Sequence, residues 1–197
     1  MTHGQPADRL RLRATMRDID RTGFLPPRQR PHAGQDVPLP IGHGQTNSQP
    51  TTVATMLELL EVRAGDRVLD IGCGSGWTTA LLSRLVGESG QVTGVERIPQ
   101  LTEFGRDNLA RLELSNAEIR QAVPEVFGLP DDGPFDRILV SAEADELPDE
   151  LVDQLGAGGI LVIPVAGLMI KVRLNHPGAP RVTYHGGFRF VPLLRER

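Results

Sequence analysis

The chain has 197 residues, 39% hydrophobic and 23% charged, with a formal net charge of -4. This suits one globular domain with a substantial core and excludes a disordered chain. The acidic balance gives no bulk attraction to nucleic acid or to an anionic membrane.

One cysteine excludes an internal disulfide, and five scattered histidines lack metal-ligand spacing. Neither a signal-type segment nor a bilayer-length apolar run is apparent, so a cytoplasmic protein is expected. Residues 1 to about 22 carry a weak helical pattern in Leu10, Leu12, Met16 and Ile19. The arginines Arg9, Arg11, Arg13, Arg17 and Arg21 alternate with acids there and predict a solvated helix face. Phe24 to Ile41 contains Pro26, Pro27, Pro31, Pro38 and Pro40. It predicts an extended, largely irregular segment laid over a site. Thr51–Leu60 follows as a helix with Val53, Met56, Leu57 and Leu60 on one face.

From Arg67 an α/β alternation begins. Strands are predicted at Arg67–Ile71, Gln91–Glu96, Ile119–Ala122, Phe135–Ser141 and Gly159–Ile163, and helices at Thr78–Val86, Pro99–Leu112 and Pro148–Leu155. This pattern implies an α/β fold with a doubly wound, mainly parallel sheet. Leu168–Leu174, Arg181–Tyr184 and Phe188–Val191 predict antiparallel edge strands, with turns at Pro177-Gly178 and Gly186-Gly187. The organisation is one domain: covering segment 1–50, α/β core 51–165 and edge strands 166–197.

Val68-Leu69-Asp70-Ile71-Gly72-Cys73-Gly74-Ser75-Gly76 joins the first core strand to its helix, and Val95-Glu96 ends the second strand. Such a strand, glycine turn and strand-end acid form a nucleotide-shaped pocket. Glu96 is placed to accept from two ribose hydroxyls. Asp70 is placed to fix the loop amides or to meet a cationic ligand. A dinucleotide prefers G-x-G-x-x-G, whereas the spacing here is G-x-G-x-G with Trp77 at the last glycine's place. S-adenosyl-L-methionine, with its sulfonium and amino group, suits the motif better. Cys73 is most simply a small tolerated side chain in the turn.

The segment Leu39-Pro40-Ile41-Gly42-His43-Gly44-Gln45-Thr46-Asn47-Ser48-Gln49-Pro50 resembles the signature of the protein-L-isoaspartate O-methyltransferase family. The resemblance continues through the glycine motif, Pro134-Phe135-Asp136-Arg137-Ile138, Leu155-Gly156-Ala157-Gly158-Gly159 and Phe190-Val191-Pro192-Leu193. It implies the seven-stranded, Rossmann-like class I methyltransferase fold and transfer of a methyl group from S-adenosyl-L-methionine to a side-chain carboxylate. In the family the usual acceptor is isoaspartate in damaged proteins, whose ester collapses to a succinimide and can reopen as aspartate. The implied catalytic residue is Ser48. Gln45, Thr46, Asn47, Asp70, Gly72, Cys73, Gly74, Ser75, Gly76 and Glu96 form the cofactor set, with no metal. A carboxylate is already ionised at neutral pH, so no strong base is required. Ser48 is also a candidate cap for the following helix.

The chain departs from the family pattern. Asn47 replaces isoleucine, Val123-Pro124-Glu125 replaces G-D-G, Glu143 stands in a run of small residues, and Ala166 follows Pro164-Val165. Glu143 near the site would repel an acid by about 1 kcal/mol or more; pointing to solvent, it would do nothing. The acceptor is accordingly a protein or peptide bearing isoaspartate or aspartate, one dedicated peptide, or a small molecule. A cofactor-binding module without turnover is the third class. Oligomeric state is not legible.

Overall fold

A computed structural model describes residues 6–175 and 179–194. Helix α1 (Pro6–Asp18) has Asp8 in its first turn and Arg17 in its last, each at the end its charge favours. Leu12 and Ile19 face inward, whereas Leu10, at the same apolar spacing, is exposed. The proline-rich stretch is more ordered than its composition predicts. Single 3-10 turns at Arg21–Phe24 and Arg30–His32 fold it back. It ends in a hairpin of β1 (Leu39–Gly42) and β2 (Gln45–Asn47). His43 and Gly44 at the tip have φ of 53° and 72°, a conformation that matches the twist of paired strands. Leu25, Leu39 and Ile41 form a small core with Ile98 and Leu101, so this cover is packed down rather than free.

Helix α2 (Pro50–Leu60) opens with a proline, whose missing N–H would have no helical partner. The alternating part comprises β3 (Arg67–Ile71), α3 (Trp77–Val86), β4 (Gln91–Glu96), α4 (Pro99–Ala110), β5 (Ala117–Gln121), β6 (Phe135–Val140), α5 (Asp149–Val152), β7 (Leu155–Val165), β8 (Leu168–Arg173) and β9 (Arg181–Gly187). The sheet order is β5-β4-β3-β6-β7-β8-β9. Strands β3 to β7 run parallel, and β8 and β9 are antiparallel additions. The chain builds outward from β3 to β5, then returns to lay β6 on the other side of β3. That reversal opens a crevice at the carboxyl ends of β3 and β6, where such sheets hold ligands. Buried residues of α1, α2 and α3 cover one sheet face, and Leu151 of α5 joins the apolar cluster that includes Leu69, Ile138 and Leu161.

Two elements differ from expectation. Only Asp149–Val152 of Pro148–Leu155 is helical, because Leu155 already pairs with Phe135 as the start of β7. Phe188–Val191 is not a strand. Strand β9 runs through Gly186-Gly187, where a turn is expected, and the next residues are held by Glu143. The turn expected at Pro177-Gly178 falls outside the described residues.

The packing under the site leaves no slack. A Cβ on Gly94 of β4 would lie 2.9 Å from Thr79 Oγ1 and 3.0 Å from Cys73 Sγ. Gly94→Ala is expected to cost about 1–3 kcal/mol, read as a lower urea midpoint at unchanged slope. An unchanged midpoint would contradict the packing.

Candidate active site

The turn after β3 donates its amides to protein. Gly72 and Cys73 N–H groups reach the Val95 carbonyl at 2.9 and 3.2 Å, and Gly76 N–H reaches the Cys73 carbonyl. Gly74 N–H donates to Glu96 Oε2 at 2.9 Å. A pyrophosphate needs free amides and no acid beside them, so this loop is unsuited to a dinucleotide. Glu96 is buried, and its other oxygen accepts the Ile98 N–H at 2.9 Å. Each carboxylate oxygen keeps a further lone pair for a ligand hydroxyl.

Gln45, Thr46, Gly72, Gly74 and Glu96 border one cleft together with Ile71, Val95, Val126 and Phe127. Its free space is about 690 Å³, including the solvent at its mouth, within the usual size of a cofactor pocket. Glu125, next to Val126 of this wall, is itself exposed, with φ of 66°, and does not border the cleft.

Five expected cofactor residues do not border this cleft: Asn47, Cys73 and Ser75 line a narrow space beside it, and Asp70 and Gly76 line neither. Gly76 packs behind the loop, where a Cβ would come within 3.3 Å of the Gly105 carbonyl. Asp70 is fully buried under the loop and fixes no amide; Glu96 does that. Its Oδ2 accepts from Thr78 Oγ1 and Thr79 Oγ1, both at 2.7 Å, and its Oδ1 has no partner. Burial raises its pKa from 3.8 to about 6. A half-satisfied buried acid beside the crevice fits a ligand carrying positive charge. Cys73 is buried, and burial pushes its thiol well above the ordinary range, which leaves it inert.

A second cavity opens on the other side of Thr46. Pro38, Ser48, Thr52, Ser141, Arg189 and Phe190 line it. Thr46, Ser141 and Val191 belong to both cavities, so they mark where the two meet. Ser48 does not cap α2: the cap position is Gln49, without a side-chain bond. Asp36 takes that role, accepting Thr51 N–H at 2.9 Å and Thr51 Oγ1 at 2.7 Å. The Ser48 hydroxyl has no partner among the described residues. Arg189, exposed at the pocket rim, likewise makes no hydrogen bond or ion pair among them.

Sequence reasoning missed Arg189, Ser141 and Arg21. Ser141 follows directly on β6, beside the crevice, and the topology alone could have flagged it. Arg21 is the larger surprise. Predicted on a solvated face, it is 4% exposed. Its guanidinium donates to Asn47 Oδ1 at 2.7 Å and to the carbonyls of Asn47, Val37 and Gln35 at 2.8, 2.9 and 3.1 Å. It lies over the Trp77 ring, 5.7 Å from the centroid. Asn47 Nδ2 in turn donates to Ser75 Oγ at 3.0 Å. Asn47 therefore links the cover to the glycine loop through buried bonds. Glu143 neither faces an acceptor nor points free into solvent. Its two oxygens accept the Gly167 and Phe190 N–H groups at 2.9 and 3.1 Å.

Comparison with known proteins agrees with this geometry. The model of the protein-L-isoaspartate(D-aspartate) O-methyltransferase family matches residues 6–197. A protein-L-isoaspartate O-methyltransferase of Methanocella arvoryzae is 44% identical over 180 residues, 89% of this chain and 94% of its own. One of Methanopyrus kandleri is 41% identical over 190 residues, 94% and 84% of the two chains. A Plasmodium falciparum structure described as a protein-L-isoaspartate O-methyltransferase in complex with S-adenosyl-L-homocysteine superposes with a TM-score of 0.80 at 27% identity, covering 94% and 90%. No described helix is long and apolar enough to cross a membrane. The chain belongs to the protein-L-isoaspartate O-methyltransferase family and is an S-adenosyl-L-methionine-dependent methyltransferase.

Proposed function

We propose that this chain methylates the carboxylate of an isoaspartyl or aspartyl residue in a protein or peptide, in the cytoplasm. The observation that carries this is the meeting of two cavities at Thr46, Ser141 and Val191. One is bordered by the glycine loop and Glu96; the other holds an unengaged hydroxyl and an arginine.

S-adenosyl-L-methionine, when bound, supplies an electrophilic methyl group. Gln45, Thr46, Gly72, Gly74 and Glu96 would hold it, with the Asp70 charge beneath. Asn47, Cys73 and Ser75 line the narrow space between loop and cover. Arg189 would attract the acceptor carboxylate, and Ser48 would donate one hydrogen bond that fixes which oxygen faces Thr46. A hydroxyl suits this task because it orients the nucleophile without removing its charge.

Ser48→Ala is expected to lower kcat by about 10²-fold or more, with calorimetric S-adenosyl-L-methionine affinity within about twofold of wild type. Arg189→Ala is expected to raise the acceptor KM in the same assay. Equal loss of turnover and cofactor affinity in Ser48→Ala would contradict the assignment.

A further inference from the structure

Glu143 occupies the short connection after β6, where the family pattern calls for a small residue. Its main chain pairs with the C-terminal segment: Glu143 N–H donates to the Val191 carbonyl at 2.8 Å, and its own carbonyl accepts the Leu193 N–H at 2.7 Å. A small residue could make both bonds. The carboxylate adds two more, from Phe190 N–H and Gly167 N–H. Gly167 lies in the turn between β7 and β8, and its carbonyl accepts the Phe188 N–H at 2.9 Å. One side chain thus fastens the segment 188–193 to both the β6 connection and the β7–β8 turn. Bonds from N–H groups to an ionised acceptor are about twice as strong as neutral ones. The residues so bracketed are Arg189, Phe190 and Val191, which wall the acceptor cavity opposite Ser48. The two main-chain bonds hold Val191 and Leu193, which also border the cofactor cleft, whereas the two side-chain bonds hold Phe190 and Gly167, which do not.

We propose that Glu143 is a positioning residue for the acceptor. Its carboxylate sets Arg189 and Phe190 against Ser48, and thereby governs acceptor binding; Val191 and Leu193, which border the cofactor cleft, are held by the Glu143 main chain and keep those bonds when the side chain is changed. This rests on the second cavity being the acceptor site. Both Glu143 carboxylate oxygens are turned to backbone amides, one of them the Phe190 N–H of the wall itself.

The test compares Glu143→Ala and Glu143→Gln in the full chain, with an isoaspartyl peptide as acceptor. Glu143→Ala should raise the acceptor KM about tenfold or more, with kcat within about threefold and S-adenosyl-L-methionine affinity within about twofold. Glu143→Gln, whose amide oxygen still accepts a backbone N–H, should recover most of the KM. Amide exchange at Phe190 should accelerate about tenfold or more in Glu143→Ala, and that at Gly74 should not change. An unchanged KM overturns the proposal, as does unchanged exchange at Phe190. A KM that rises together with lost cofactor affinity also overturns it, since that is general destabilisation. Should the wild type fail to methylate any isoaspartyl peptide, the reaction assignment falls on that control alone, while the exchange rates still decide whether Glu143 fastens the segment.

Discussion

Arg21→Met should loosen the whole amino-terminal cover and reduce methyl transfer about 100-fold or more. The methionine keeps the bulk over Trp77 but offers no donor. The carbonyls of Gln35, Val37 and Asn47 and the Asn47 side-chain oxygen would all lose their partner inside the fold. The two Asn47 acceptors are buried, and each left unmatched costs about 1–3 kcal/mol, whereas the bonds to Gln35 and Val37 are only partly buried and count for less. The loss is directed at the site, because Asn47 lies next to Ser48 and bonds to Ser75 of the glycine loop. Arg21→Lys should rescue little. An ammonium is a compact donor on a flexible stem and cannot reproduce a planar fork that reaches several acceptors. Thermal melts and steady-state kinetics of both variants check this. Wild-type melting and turnover in Arg21→Met would show that the cover is held by its apolar contacts alone.

Asp70→Asn should stabilise the ligand-free protein at neutral pH and weaken its hold on the cofactor. The folded pKa of Asp70 is raised from 3.8 to about 6, with burial as the chief cause. Between those values the native state keeps a proton that the unfolded chain has released. Stability therefore falls as pH rises from about 4 to 6, and above that the ionised acid costs about 3 kcal/mol. Asparagine removes this slope. Melting temperatures across pH 4–8 should decline for wild type and stay flatter for Asp70→Asn. Cofactor binding should show the reverse trend. A cation in the crevice favours the ionised acid, so S-adenosyl-L-methionine affinity in wild type should rise through pH 6, and Asp70→Asn should bind about tenfold more weakly at pH 7.5. A pH-independent wild-type affinity would contradict this role for the charge.

Strands β3 and β4 are legible to the residue, since their apolar runs and bounding glycines leave one solution. The glycine turn and Glu96 follow from local sequence in the same way, whereas Ser48 is pointed to by the family resemblance, its local reading being a helix cap that the structure gives to Asp36 instead. What escapes is long-range pairing. Arg21 sits among alternating charges that look solvated. Its burial depends on carbonyls 14 to 26 positions away. Phe188–Val191 has the composition of a strand, but it is held by a few scattered bonds, one of them from Phe190 N–H to a carboxylate 47 positions back. The helix predicted through Leu155 stops early because β7 claims that residue for the sheet. The two polar departures that suggested a new acceptor, Asn47 and Glu143, prove to be internal ties. The sequence displays their polarity but not where the side chains point.

The most direct test uses wild-type enzyme, methyl-labelled S-adenosyl-L-methionine and two peptides that differ only in an isoaspartyl or aspartyl linkage. Label should enter the isoaspartyl peptide, depend on Ser48, and leave as methanol in mild base, as a carboxyl ester must. Label in a base-stable product, or none in either peptide, would contradict carboxyl methylation at this site.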